Sequence, residues 1–293
     1  MTLKKKILVL GSTGMLGHQV VNYLKDFDEF IVDDISYRNN LREGTIIVNA
    51  MDKSVLKGII VQLKPDFIIN CIGILVNGSQ DAGRAIYLNA YLPYQLREVA
   101  KSINSKLIHI STDCVFSGSK GQYIESDFRD GQGVYAQTKI LGEIIDDSNL
   151  TLRTSIIGPE LKSNGEGLFH WFMNQSDGIS GFTKAIWSGV TTIELAKTIK
   201  WAIDNHITGL YHVTNNSSIS KYELLQLFQK HTKKDISIKP FDGKDVDKSF
   251  IDTRLLIDYK IPSYDQMISD MVRLTVNDRK LYSQYKVIDG DNR

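Results

Sequence analysis

Within its first twenty residues the chain runs from an apolar strand, 5–10, straight into Gly11, Gly14 and Gly17, and then into a helix expected over 15–25. Each glycine has a distinct use. Gly11 permits the tight turn out of the strand, Gly14 lets backbone approach a pyrophosphate, and Gly17 lets the helix pack closely on the sheet. Unpaired N–H groups and the positive dipole end of that helix then face a phosphate. Thr13, Met15 and Leu16 complete the loop expected around a dinucleotide, with the spacing GxxGxxG in place of GxGxxG. Incidental glycines at a strand-to-helix turn are the plain alternative, and the strand directly upstream weighs against it.

Beyond the loop, apolar runs alternate with helical patterns: strand 30–36, strand 45–49, helix 53–63, strand 67–71, helix 84–103, strand 106–111, helix 135–147 and strand 150–157. This alternation predicts an α/β fold, a Rossmann-type doubly wound parallel sheet. After Gly158-Pro159 the character changes, with polar loops and two tryptophans, so a smaller C-terminal α/β lobe is expected there. Helix 191–205 and strand 209–214 return to the sheet, and helix 220–232 follows. The division expected is 1–158 with 188–214 for the dinucleotide-binding domain, 159–187 with 215–276 for the substrate lobe, and 277–293 for a loosely held polar tail.

Among 293 residues, 42% hydrophobic, 35 Lys and Arg face 34 Asp and Glu. This balance offers no electrostatic footprint for nucleic acid or an anionic membrane surface. No apolar stretch approaches the ~18 residues that span a bilayer. A cytoplasmic protein with no membrane insertion is expected; a homodimer stays open. Cys71 and Cys114 read as buried thiols, and no metal site is expected.

Tyr135 and Lys139 stand four apart, on one face of a helix. A neighbouring ammonium favours phenolate, lowers the Tyr pKa and suits Tyr135 to proton transfer. Tyr282 and Lys286 repeat the spacing in the tail, so context must separate the copies. Tyr135 lies 24 residues beyond Ser111-Thr112-Asp113, at the carboxyl end of strand 106–111, where open parallel sheets bind ligands.

With Asn70-Cys-Ile-Gly73, Asn89, Ser111-Thr-Asp-Cys-Val-Phe116, Arg153-Thr-Ser155, Gly189-Val-Thr-Thr192 and Gly209-Leu-Tyr-His212, the chain resembles the extended short-chain dehydrogenase/reductases. Within them it is similar to the dTDP-4-dehydrorhamnose reductase group of nucleotide-sugar reductases. The resemblance implies NAD(P)H-dependent reduction of the C4 keto group of a nucleotide-activated 4-keto-6-deoxy sugar, in cell-surface polysaccharide synthesis. It implies a catalytic Thr112, Tyr135 and Lys139, with Asp113 on the sugar and Cys71, Ile72, Gly73 and Ser155 along the cofactor. Cys114 departs from the tyrosine usual after the aspartate, and Met15 stands where some of those enzymes place a metal-binding glutamate. Both departures point away from rhamnose itself. A similarity to reductases of UDP-linked 2-acetamido-2,6-dideoxy-4-ketohexoses would put His170, Trp171 and Trp187 near the sugar and Arg254 near phosphate. Plain hydrophobic packing accounts for the tryptophans equally well.

For the cofactor, a carboxylate at the end of the second strand selects NAD, and an arginine there accommodates NADP. Asp33 and Asp34 lie inside strand 30–36 and Arg38 follows it, so NADP(H) is expected ahead of NAD(H). Two other functions remain: an NAD-retaining nucleotide-sugar epimerase, and a non-catalytic dinucleotide-binding regulatory subunit.

Overall fold

The computed structural model describes residues 3–254, 259–285 and 287. Strand β1 (Lys5–Leu10), helix α1 (Gly17–Lys25), β2 (Phe30–Ser36), β3 (Ile46–Ile47), α2 (Lys53–Leu63) and β4 (Phe67–Asn70) open the chain. Helices α3 (Ala82–Ala85) and α4 (Leu92–Ser102) flank a π-helical turn at Ile86–Tyr91, before β5 (Lys106–Thr112), α5 (Gly133–Leu141) and β6 (Leu150–Thr154). The sheet runs β3-β2-β1-β4-β5-β6, closed by β11 (Gly209–His212), and every pair in it is parallel. That is the doubly wound order with one added strand, and its connections reverse direction between β1 and β4. Alternate residues of β1 explain the layers. Ile7 and Val9 join the apolar cluster under α1, while Leu8 and Leu10 join the cluster under α2 and α4.

The remaining elements are β7 (Ile156–Ile157), α6 (Leu168–Met173), β8 (Ile179–Phe182), β9 (Ala185–Trp187), β10 (Val190–Thr191), α7 (Thr192–Asp204), β12 (Ile219–Ser220), α8 (Lys221–Thr232), β13 (Ile238–Phe241), β14 (Val246–Asp247) and α9 (Tyr264–Asn277). The small sheets β12-β9-β14 and β13-β8 form beside the main one. Phe169, Phe172, Trp187, Phe228 and Met267 extend the α1-side cluster, so this part shares a core layer with the main sheet.

Several expectations need correction. The single helix 84–103 is interrupted by the π-helical turn. Pro93 has no N–H for the Asn89 carbonyl, and its ring clashes with a carbonyl four residues back. The freed carbonyl lies against Gly142, where a Cβ would come within 1.9 Å of it. Gly142 at this close approach is the C-cap of α5, which ends at Leu141, well short of residue 147. Helix α1 starts at Gly17 and not at Met15. The strand 150–157 breaks at Ser155, because Ile156–Ile157 leaves the main sheet to pair with β10.

Within the stretch expected to be a loosely held tail, residues 277–285 are packed against the fold. Tyr282 and Tyr285 are buried. The Tyr282 hydroxyl meets His18 Nε2 at 2.8 Å and accepts from Gln19; the Tyr285 hydroxyl meets His170 Nδ1 at 2.8 Å and accepts from the Glu160 N–H at 2.9 Å. Lys286, second member of the repeated spacing, and residues 288–293 lie outside the described residues.

Candidate active site

The glycine loop is stitched to the neighbouring strand: Gly11 and Ser12 N–H both donate to the Ile35 carbonyl, at 2.8 and 3.0 Å. Gly11 holds φ +82°, in the left-handed region. A Cβ on Gly17 would fall 2.1 Å from the Gly11 carbonyl oxygen, so only glycine lets α1 start this close to the loop. Gly14 has more room, its nearest contact being that same oxygen at 3.2 Å. Leu16 supplies no side-chain cap and the first turn of α1 carries no acid, which suits this helix start to an anion, although the His18 N–H already donates to the Gly14 carbonyl at 3.3 Å.

Across the reversal point, Cys71–Gly73 follow β4, and Ser111 and Thr112 end β5. Together with Thr13, Gly14, Met15, Leu16, Tyr135, Lys139 and Ser155 they line one cleft of about 360 Å³. That volume suits a bound small molecule. Gly11 and Gly17 shape the loop from beneath. Glu160, Leu161, Lys162 and Gly167 close the far wall, and no motif had singled them out.

The Thr112 hydroxyl donates to Asp113 Oδ1 at 3.0 Å and accepts from the Cys114 N–H at 3.2 Å. Tyr135 is half-buried at the cleft wall. Burial raises its phenol above the ordinary range, the Cys114 and Asp113 charges add to that, and the Thr112 hydroxyl opposes it. The lowering expected from Lys139 does not occur, because that ammonium is turned to the Ile110 carbonyl at 2.7 Å. Burial pulls Lys139 down to about 8, with the Glu143 charge opposing.

Glu143 was not foreseen. Its carboxylate takes a bidentate grip from Arg153, Nε and Nη2 each at 2.8 Å, plus Arg129 Nη1 at 2.9 Å and the Ser111 hydroxyl at 2.6 Å. Burial pushes this carboxyl up, but the Arg153 contacts outweigh it and hold it below the usual range. Ser111 is therefore tied from behind, which leaves Thr112 as the hydroxyl that can turn to a ligand. The one available signal was position: in the helix expected over 135–147, Glu143 stands four residues after Lys139, although α5 itself stops before it.

The match to the RmlD substrate binding domain family spans residues 5–249. The chain belongs to that family. Methionine adenosyltransferase 2 subunit beta of Xenopus laevis is 26% identical over 237 residues, 75% of this chain and 70% of that protein. The dTDP-4-keto-6-deoxy-D-glucose reductase of Streptomyces niveus is 25% identical over 235 residues, 75% of this chain and 76% of that protein. The crystal structure of dTDP-4-dehydrorhamnose reductase from Bacillus anthracis in complex with NADP superposes with a TM-score of 0.81 at 20% identity, covering 94% of this chain and 99% of that one. RmlD-family membership thus joins this chain to nucleotide-sugar reductases and to a protein named as a subunit.

The RmlD-type cleft does not gather every residue expected at it. His170 is buried, bonded to Tyr285, Ser163 and Asn174. Trp171, on the same helix, is 40% exposed outside the cleft lining. Trp187 is buried against Tyr264, and its Nε1 donates to Ser155 Oγ at 2.7 Å, so it backs the cleft without lining it. Arg254 lies over the Tyr211 ring and donates to the Leu210 carbonyl at 3.1 Å. It borders a separate open groove of about 890 Å³ with Glu125, Phe128 and Arg129, which contains none of the glycine loop. Asp113 sits buried behind Thr112. Arg38 is exposed just beyond β2, over the Tyr37 ring, whereas Asp34 is buried and paired with Arg42 Nε at 2.8 Å. Among the described residues, no group of three or more His, Cys, Asp or Glu could hold a metal, and no helix is long and apolar enough to cross a membrane.

Proposed function

We propose that this protein reduces the C4 keto group of a nucleotide-activated 4-keto-6-deoxy sugar, using NADPH in preference to NADH. The observation that carries the proposal is the meeting of Thr112, Tyr135 and Lys139 with the glycine loop in one cleft. The residues fit a dinucleotide: Gly14 leaves its face open, the start of α1 carries no side-chain cap, and Lys139 lines the same space. When bound, the nicotinamide supplies a hydride to the carbonyl carbon.

Tyr135 supplies the matching proton. Its raised pKa keeps it protonated at neutral pH, so it can donate to the developing alkoxide oxygen. Thr112 would swing its hydroxyl from Asp113 to the same oxygen. Lys139, remaining largely an ammonium at pH 7, would bind ribose hydroxyls and stabilise the Tyr135 phenolate left behind. The burial of Asp34 inside β2, with its Oδ1 accepting from Arg42 Nε, supports NADP, as does Arg38, exposed past the strand end and in no ion pair among the described residues.

The second reading, a dinucleotide-binding regulatory subunit, is favoured by the Xenopus laevis relative. One experiment separates the two. NADPH oxidation is followed with a panel of dTDP-, UDP- and GDP-linked 4-keto-6-deoxy sugars, for the wild type and Tyr135→Phe. Reduction of one of them, with turnover lost and NADP affinity kept in the variant, is the expected result. NADP binding with no turnover on any member would favour the subunit, and unchanged turnover in the variant would refute the role of Tyr135.

A further inference from the structure

The turn that follows α9 carries two buried tyrosines, and each of them meets a buried histidine. Tyr282 Oη lies 2.8 Å from His18 Nε2, and the opposite ring nitrogen, Nδ1, donates to the Gly14 carbonyl at 2.7 Å. Tyr285 Oη lies 2.8 Å from His170 Nδ1, and the opposite nitrogen, Nε2, donates to the Ser163 carbonyl at 3.1 Å. A carbonyl oxygen only accepts, so in both relays the nitrogen facing it carries the proton. The turn itself is fixed: Tyr282 N–H donates to the Asp278 carbonyl and Tyr285 N–H to the Tyr282 carbonyl, each at 3.0 Å.

The two relays end on opposite lips of one cleft. Gly14 belongs to the glycine loop, which lines the cleft with Met15 and Leu16. Ser163 belongs to the facing wall, which contributes Glu160, Leu161, Lys162 and Gly167. That wall lies between β7 and α6 with no helix or strand of its own, so side chains must satisfy and hold its backbone. The same turn supplies them. Glu160 N–H donates to the Tyr285 hydroxyl at 2.9 Å, and Gln284 Nε2 donates to the Glu160 carbonyl. The Glu160 side chain then closes the wall on itself, Oε1 accepting from Gly167 N–H at 2.6 Å. A Cβ on Gly167 would come within 3.1 Å of Met15 Sδ, so the two lips approach each other closely there.

We infer that Tyr282 and Tyr285 are positioning residues of the dinucleotide site: the turn that carries them straps the wall at 160–167 to the glycine loop and sets the width of the cleft between. The inference rests on the dinucleotide reading of that cleft and is independent of which sugar is reduced. It also gives His170 a role away from any substrate, as the relay through which Tyr285 holds the Ser163 carbonyl.

The test uses the full chain with Tyr282→Phe, Tyr285→Phe and both together. Each substitution deletes a hydroxyl and keeps the ring, which packs 5.7 Å from the His18 ring for Tyr282 and 5.6 Å from the Phe169 ring for Tyr285. In calorimetric titration NADP should bind about fivefold more weakly to each single variant, the worth of one hydrogen bond. Hydrogen exchange should speed up several-fold over 159–167 in Tyr285→Phe and over 11–19 in Tyr282→Phe, and stay unchanged over α4. Tyr123→Phe controls for mere loss of stability: its buried hydroxyl accepts from the Gly118 and Lys120 N–H groups, each at 3.1 Å, and lies outside the cleft lining. It should lower Tm and keep wild-type affinity for NADP. On a turned-over substrate, both strap variants should raise the KM for NADPH more than they lower kcat. Wild-type affinity in folded Tyr282→Phe and Tyr285→Phe, or an equal loss in Tyr123→Phe, would overturn the strap and leave the dinucleotide reading standing. A wild type that binds neither NADP nor NAD would overturn both.

Discussion

Lys139→Met should make the protein inactive and more stable. The Lys139 ammonium is 5% exposed and held at about 8, against an ordinary 10.5. At pH 7 that difference corresponds to roughly 3 kcal/mol of destabilisation. Methionine matches much of the stem and needs no hydration, but it leaves the Ile110 carbonyl without its donor, a loss of about 1–2 kcal/mol. Glu143 keeps Arg153 and Arg129, so no buried charge is orphaned. The net expectation is about 1–2 kcal/mol of added stability, a rise in Tm of about 4 °C. The pH dependence provides a sharper check. The folded pKa lies below the unfolded one, so between pH 8 and 10.5 the unfolded chain binds the extra proton and the wild type gains stability as pH rises. The advantage of the variant should therefore be full below pH 8 and should fade toward 10.5. Differential scanning calorimetry at a series of pH values measures it; a variant no more stable at pH 7, or a gap constant with pH, would refute the account of Lys139 as a strained buried cation.

Gly17→Ala should lose NADP affinity more than tenfold and about 2–3 kcal/mol of stability, because its Cβ meets the Gly11 carbonyl at 2.1 Å. Gly58→Ala, whose Cβ meets nothing within 4 Å in α2, should gain about 0.5–1 kcal/mol in the same urea titration. His18 is pulled down to about 4 by burial, so the native state holds it neutral where the unfolded chain takes up a proton. Its contribution is present in full above pH 6.5 and lost as pH falls toward 4, roughly 3 kcal/mol in all. His18→Gln should flatten the fall of the urea midpoint over that range, and an unchanged slope would show that His18 does not govern it.

The elements with one dominant local cause were legible in the residues. Phe30–Ser36 and Lys53–Leu63 begin and end where expected, since β-branched and aromatic residues on both sides of Asp33-Asp34, and an Asp52 cap with a closing Lys64-Pro65, act locally. The glycine loop and the strand-end hydroxyls of β5 were legible for the same reason: strand ends in a doubly wound sheet converge. What escaped depended on partners distant in sequence. The π-helical turn needs Pro93, Asn89 and Gly142 considered together, and α5 ends at that meeting. Tyr282 and Tyr285 stand in polar company, so no periodicity announces their burial. His170 and Trp171 show the limit of resemblance, which marked a segment without saying which side of α6 would face the core.

The bond between His18 and Tyr282 joins residues 264 positions apart. Closing so long a loop is entropically late work, rewarded only after the sheet and the lobe have already brought its ends together. Helix α1, one of the earliest segments able to form locally, thus receives its last neighbour near the end of folding. Protection of the His18 and Gln19 region against hydrogen exchange becomes a clock for completion of the whole molecule. A chain stalled before that closure would carry a finished sheet and an unfinished phosphate site.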